Sequence, residues 1–243
     1  GAGAVGSPDS ARQAAAWEMP AWSRRPLARA FRCAILAACL LPLTRLFARM
    51  RVEGREHLAG ITGPVVFAAN HQSHMDTPII LAALPARWRY RMAVAMAKEY
   101  FDGHFHPEGR ARGDRLRASA AYYFAALCFN GFPIPQREAG ARHTLRYIGD
   151  LLGDGWSVLI YPEGGRTDTG TIDTFRPGVG MIGSRLCVPV VPVRLEGVYR
   201  VLHKSWRMAR RGPVRVAFGP PIRLEGDDYA KLVRRVESAV RNL

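Results

Sequence analysis

The sequence predicts an α/β domain: a mixed, mostly parallel sheet flanked by helices, with an N-terminal helical segment suited to a membrane interface. Three observations predict it. Seven short β-type runs recur along the chain, at Met50–Gly54, Val65–Ala69, Arg91–Ala97, Phe132–Pro135, Ser157–Tyr161, Val188–Leu195 and Val214–Phe218. Helical patterns lie between them, and strand–helix alternation is the mark of an α/β sheet. Ahead of the first run stands an apolar stretch bordered by arginines and tryptophans.

Taken in order, residues 1–21 read as a disordered tail or linker, small and polar at the start and then carrying Trp17 and Pro20. Residues 22–48 form the N-terminal helical segment. Its apolar part, Phe31 to Phe47, is interrupted by Pro42 and Arg45 and falls short of the ~20 apolar residues of a spanning helix. Trp22, Arg24, Arg25, Arg29 and Arg32 instead suit a helix lying in the interface. Residues 49–243 form the main domain. Within it Leu145, Ile148 and Leu152 recur at helical spacing, and Tyr229, Leu232, Val233, Val236 and Val240 make the apolar stripe of a last helix. The charged, Gly- and His-containing stretch Phe101–Arg117 reads as an exposed loop. Phe175–Gly180 leads into a further helical run, and the prolines of Val188–Val193 read as structural.

Composition narrows the partners. With 243 residues and 48% hydrophobic content the chain can bury one sizeable core. A formal charge of +15, with Lys98, Lys204 and Lys231 the only lysines, favours phosphate-bearing partners such as an anionic membrane or a phosphorylated small molecule. No basic helix, finger or aromatic-interleaved strand points to nucleic acid. Cys33, Cys39, Cys128 and Cys187 are scattered without a C-x-x-C, which suits buried thiols in a reducing compartment. No signal peptide and no internal repeat is visible.

The chemistry concentrates at Asn70-His71-Gln72-Ser73-His74-Met75-Asp76, between a strand-like run and a helix start at Thr77-Pro78. On one continuous helix five residues turn by about 500°, so His71 and Asp76 would point apart. In a strand–turn–helix they can converge, and a carboxylate that fixes an imidazole tautomer makes a general base. Zinc ligation by His71, His74 and Asp76 is the alternative, although no second dense His/Cys cluster exists. A second constellation, Tyr161-Pro162-Glu163-Gly164-Gly165-Arg166-Thr167, places a carboxylate and a guanidinium after a strand, where ligands of α/β sheets bind. Arg137 follows a third run, Phe132-Pro133-Ile134-Pro135, and could grip phosphate with its fork.

In this order the stretches resemble the blocks of the glycerolipid acyltransferases, the 1-acylglycerol-3-phosphate acyltransferase family. Residues 70–76 resemble N-H-x-S-x-x-D, Pro133–Arg137 a second block ending in arginine, Tyr161–Thr167 the F-P-E-G-T-R-S block and Val188–Val193 a V-P-V-x-P-V block. The resemblance spans about residues 49–243. Departures are Tyr161 for Phe, Gly165 for Thr, Thr167 for Ser, and Pro135-Gln136 before Arg137. The Trp/Pro/Arg run near the N-terminus is also similar to members fused behind an acyl-activating enzyme and carrier domain, so the chain is expected to be a module of a longer polypeptide.

The resemblance implies transfer of a fatty acyl group from acyl-CoA or acyl-carrier protein to a glycerolipid hydroxyl, such as that of lysophosphatidate or another lysophospholipid. It implies His71 as general base with Asp76 orienting it, and backbone N–H groups near the turn as oxyanion donors. Arg137 and Arg166 would hold the acceptor phosphate, with Glu163 and Gly164 shaping that pocket and Ser73 contacting substrate. No cofactor and no metal is expected, and the chain is placed at the cytoplasmic face of a membrane, peripheral or monotopic. Two other readings stay open: a metal-dependent hydrolase using His71, His74 and Asp76, and a non-catalytic membrane-binding module.

Overall fold

Each of the seven β-type runs forms a strand in the computed structural model, which describes residues 19–97, 100–134, 141–167, 169–203, 205 and 208–243. The strands are β1 (Ala48–Glu53), β2 (Val66–Ala69), β3 (Met92–Ala97), β4 (Gly131–Ile134), β5 (Ser157–Ile160), β6 (Val190–Glu196) and β7 (Gly212–Phe218). They form one sheet in the order β1-β7-β6-β2-β5-β3-β4. Every neighbouring pair is parallel except β6 and β7. Residues 1–18 and Arg137 lie outside the described residues.

Central β2 explains why its run lacks alternation. Both its faces are covered, as in parallel sheets generally. Val66 and Ala68 enter one core layer, Phe67 and Ala69 the other. Phe67 is fully buried, with the rings of Trp88 and Phe218 edge-on at 5.7 and 6.4 Å. Truncation to Ala there would cost about 3–5 kcal/mol. Helices α1 (Pro26–Phe47) and α2 (Asp76–Ala83) cover one face. The other is covered by α4 (Ala141–Gly153), α5 (Gly178–Arg185) and α6 (Tyr229–Arg241), while α3 (Arg112–Phe129) lies at the β4 side with its own small cluster of Phe101, Tyr122 and Ala125.

Three expectations change. Phe101–Arg117 is not an exposed loop: Phe101 is fully buried, one helical turn spans Asp102–Phe105, and α3 begins at Arg112. The first half of α3 is exposed and polar, so its sequence carries no apolar stripe; only Tyr122, Ala125, Ala126 and Cys128 are buried. Second, α1 is continuous, and at 22 residues it is long and apolar enough to cross a membrane. Pro42 does not break it. The stretch Leu36–Leu40 widens into a π turn, with the Leu41 amide donating to Leu36 O, which makes room for a ring that would otherwise strike the preceding turn. Leu36 and Leu41 nevertheless join the sheet's core, so α1 lies along the domain, leaving Leu27, Phe31, Leu43 and Leu46 exposed. Third, of the four free cysteines only Cys128 is buried.

Arg32 fastens α1 to α3. Its guanidinium is buried and donates to the carbonyls of Ser23, Ala126 and Leu127, the last two among the unpaired acceptors at a helix C-terminus. Burial lowers its pKa to about 10.

Candidate active site

The strand–turn–helix predicted around His71 is present, and it brings the two side chains together. His71 leaves β2, Asp76 opens α2, and His71 Nδ1 lies 2.7 Å from Asp76 Oδ2. Asp76 is fully buried, whereas the His71 side chain is 21% exposed. The carboxylate turns back into the loop and makes no side-chain cap on its own helix. Its Oδ2 also accepts from the amides of Gln72 at 2.6 Å and Ser73 at 2.9 Å. With a carboxylate acceptor on Nδ1, the proton sits there and Nε2 is left as the basic nitrogen.

The second constellation grips the first. Glu163 Oε1 accepts from the His71 amide at 2.7 Å, and the Thr167 amide donates to His71 O at 3.0 Å. Because β2 and β5 are parallel neighbours, these two turns emerge side by side from one rim. The Tyr161 ring stacks on the imidazole at 4.1 Å and 20°, and its hydroxyl pairs with Thr77 Oγ1 at 2.9 Å. Burial, foremost, and then the Asp76 charge push the Tyr161 pKa well up, so the ring is a neutral wall. Sequence reasoning noted Tyr161 only as a departure from Phe; an aromatic in that place, one residue past a strand beside β2, was the available signal.

Glu163 is a brace. Its second oxygen accepts from the Asp173 amide at 2.9 Å. Burial raises its pKa to about 7, against the lowering pull of the two amides, with Asp173 and Asp76 adding to the rise. Arg166 is therefore not its partner. Nη1 of Arg166 is buried and has no hydrogen-bond partner among the described residues. Its charge reaches His74 and Tyr100: the His74 pKa is lowered by burial and then by Arg166, and that of Tyr100 is raised by burial against Arg166. Gly164 adopts φ +72°, and a Cβ there would come within 2.6 Å of the Arg176 side chain, so its close approach is to the chain's own guanidinium. Gly165 faces open space.

Ser73 anchors the turn. Its hydroxyl donates to Leu202 O at 2.5 Å and accepts from the Met75 amide at 3.1 Å. Asn70 and Gln72, which the sequence reading passed over, do similar work. Asn70 makes two bonds with the backbone of Leu195, and Gln72 reaches Gly170 O, Leu195 O and the Val198 amide. The amides of His71, Gln72 and Ser73 are all taken; that of His74 has no acceptor among the described residues. The zinc alternative lacks its geometry. Among the described residues no three His, Cys, Asp or Glu side chains gather as a metal site, and His71 and Asp76 are spent on each other.

Known proteins resemble this chain. The family model described as Acyltransferase matches residues 49–196. Human 1-acyl-sn-glycerol-3-phosphate acyltransferase alpha is 26% identical over 211 residues, 85% of this chain and 68% of the relative. The chloroplastic 1-acyl-sn-glycerol-3-phosphate acyltransferase LPAT1 of Arabidopsis thaliana is 24% identical over 178 residues, 72% of this chain and 44% of its own length. Among solved structures, the 1-acyl-sn-glycerophosphate acyltransferase PlsC from Thermotoga maritima superposes with a TM-score of 0.62 at 22% identity, covering 87% of this chain and 79% of that one. That likeness bears on the fold.

Proposed function

The chain belongs to the acyltransferase family, and from that premise we propose that it moves a fatty acyl group from a thioester to a hydroxyl of a glycerolipid phosphate. The observation that carries the proposal is the 2.7 Å bond between Nδ1 of a part-exposed histidine and a fully buried aspartate. His71 Nε2 takes the proton as the acceptor oxygen attacks the thioester carbonyl. The tetrahedral intermediate collapses, the carbon–sulfur bond breaks, and the imidazolium returns the proton to the leaving thiolate. Asp76 holds the ring and offsets its transient charge. General-base help of this kind is worth about 10²–10⁴ in rate. The free amide of His74 is the turn's remaining donor for the oxyanion. No acyl-enzyme is needed.

Acyl-CoA or acyl-carrier protein is the donor in this proposal, and a 1-acylglycerol 3-phosphate or similar lysophospholipid the acceptor, in keeping with the names of the relatives. The unpartnered Nη1 of Arg166 supports a phosphate contact, with Arg137 as its expected companion. The exposed apolar side of α1 supports attachment to the cytoplasmic face of a membrane without crossing it. The test is His71→Ala with thiol release, lipid product and thermal melting measured together. Loss of transfer at an unchanged melting temperature is expected. Retained transfer would overturn the role of His71, and liposome binding with no transfer by the unaltered protein would favour the non-catalytic membrane module.

A further inference from the structure

A cleft of about 450 Å³ opens at the same rim of the sheet, on the far side of Gln72 from the dyad. Its floor is formed by β1, β7 and the C-terminal end of β6, beyond the part of β6 that α6 covers. Five arginines line it: Arg49, Arg51, Arg194, Arg200 and Arg215. The strand register sets Arg51 directly opposite Arg215, and Arg215 opposite Glu196. Among the described residues two side-chain carboxylates answer the five cations, and Arg215 also donates to Leu243 O at 2.5 Å. Glu53 takes Arg51 and Arg215, each at 2.6 Å, and Glu196 takes Arg194 at 2.8 Å and Arg215 at 3.5 Å. Arg49 and Arg200 have no carboxylate partner among the described residues.

A surface ion-pair network would explain paired charges, which contribute little. It does not explain a surplus. Like charges directly opposite on neighbouring strands destabilise a sheet, and five guanidiniums against two carboxylates leave three positive charges around one concavity. Such an arrangement is stable when a multiply charged anion occupies it, and guanidinium forks match phosphate oxygens in pairs. Tyr199, also in the wall, carries the Arg200 guanidinium 5.3 Å from its ring centre, a flat cationic surface of the kind on which nucleobases stack.

We propose that this cleft binds the phosphate groups of the acyl donor, the 3′-phosphate and diphosphate of a coenzyme A thioester, with the adenine against Tyr199. The inference rests on the acyl-transfer reading and decides between its two donors in favour of CoA. Gln72 makes the connection: it lines the cleft and directly follows His71, so the donor's flexible arm runs from the cleft past Gln72 to the dyad.

The test uses the Arg49→Ala, Arg200→Ala double variant, which leaves every carboxylate in the cleft paired. Kinetics are measured with acyl-CoA, with acyl-3′-dephospho-CoA and with the acyl-pantetheine thioester, and calorimetry follows adenosine 3′,5′-bisphosphate without turnover. The expected result is an acyl-CoA KM raised roughly tenfold or more, an unchanged pantetheine KM, an unchanged acceptor KM, and loss of the bisphosphate binding shown by the parent. An unchanged acyl-CoA KM overturns the proposal, as does an equal rise for acyl-pantetheine. A rise confined to the acceptor KM would make the cleft a lipid headgroup site and overturns it too. If no thioester is turned over, the acyl-transfer reading fails, while calorimetry still reports on the cleft.

Discussion

Asp76→Asn separates two ways in which the carboxylate could help His71. In a dyad where the carboxylate serves the imidazole alone, the amide can turn its NH2 toward the ring and trap the wrong tautomer, a loss of about 10⁴ in the serine protease precedent. Here Oδ2 also accepts from the amides of Gln72 and Ser73, at 2.6 and 2.9 Å. An NH2 in that place would face three donors. The asparagine oxygen must therefore keep the Oδ2 position, Nδ1 keeps its proton, and Nε2 remains the base. What disappears is the charge. A hydrogen bond to a charged group contributes about 1.5–3 kcal/mol and a neutral one about 1, so the imidazolium-like transition state loses about 0.5–2 kcal/mol, a fall of about 2- to 30-fold in rate. The displaced NH2 occupies the Oδ1 position, which is buried and has no partner among the described residues, at a cost of about 1–3 kcal/mol in stability. Thiol release, thermal melting and nitrogen NMR of the imidazole measure all three quantities. A loss near 10⁴ with an inverted tautomer would refute the argument from the two amides.

Further outcomes follow from the same geometry. Replacing Arg166 by Ala is expected to raise the acceptor KM about tenfold per 1.4 kcal/mol lost, with a smaller change for the donor and poor rescue by Lys; an unchanged acceptor KM with a lowered melting temperature would count against the phosphate contact. Glu163, with a folded pKa of about 7 against an ordinary 4.5, keeps a proton that the unfolded chain has lost between those values. Its contribution to stability should therefore be full on the acid side of 4.5 and be lost as pH rises through 7; melting curves of Glu163→Gln should lack that loss, and parallel slopes in parent and variant would exclude it. On α1, the pair Leu27→Glu and Phe31→Glu should abolish flotation with anionic liposomes and leave melting unchanged, because both side chains are exposed; flotation at parental levels would move the membrane contact elsewhere.

Much of the fold was legible because β runs and helix stripes are local signals. The convergence of His71 and Asp76 was legible too, since a strand, a short turn and a helix start leave few geometries. What escaped depended on neighbours distant in the chain. The bond from Ser73 to Leu202 O, 2.5 Å long, joins residues 129 apart. Glu163 and Arg166 stand close together in the chain, yet the carboxylate is claimed by the amides of His71 and Asp173, the first of them 92 residues away. The first half of α3 borders solvent, so nothing in its composition distinguishes it from a loop. The arginine cleft depends on β1 pairing with β7, a register between residues 48–53 and 212–217 that periodicity cannot supply.

The position of β2 between β5 and β6 fixes when the dyad can come into being during synthesis. His71 and Asp76 leave the ribosome almost together, but the bonds of Asn70 and Gln72 reach 125 and 126 residues ahead in the chain, and that of the His71 amide reaches 92. Until those partners emerge, β2 has no flanking strand and the turn beyond it has no walls. Closing such long loops precedes any return in contact energy, which makes parallel sheets of this order slow to form. The nascent chain must carry an apolar helix and several bare β segments until Leu195 and Val198 have been made and the turn can acquire its walls, and its dependence on early shielding from other chains is built into the strand order.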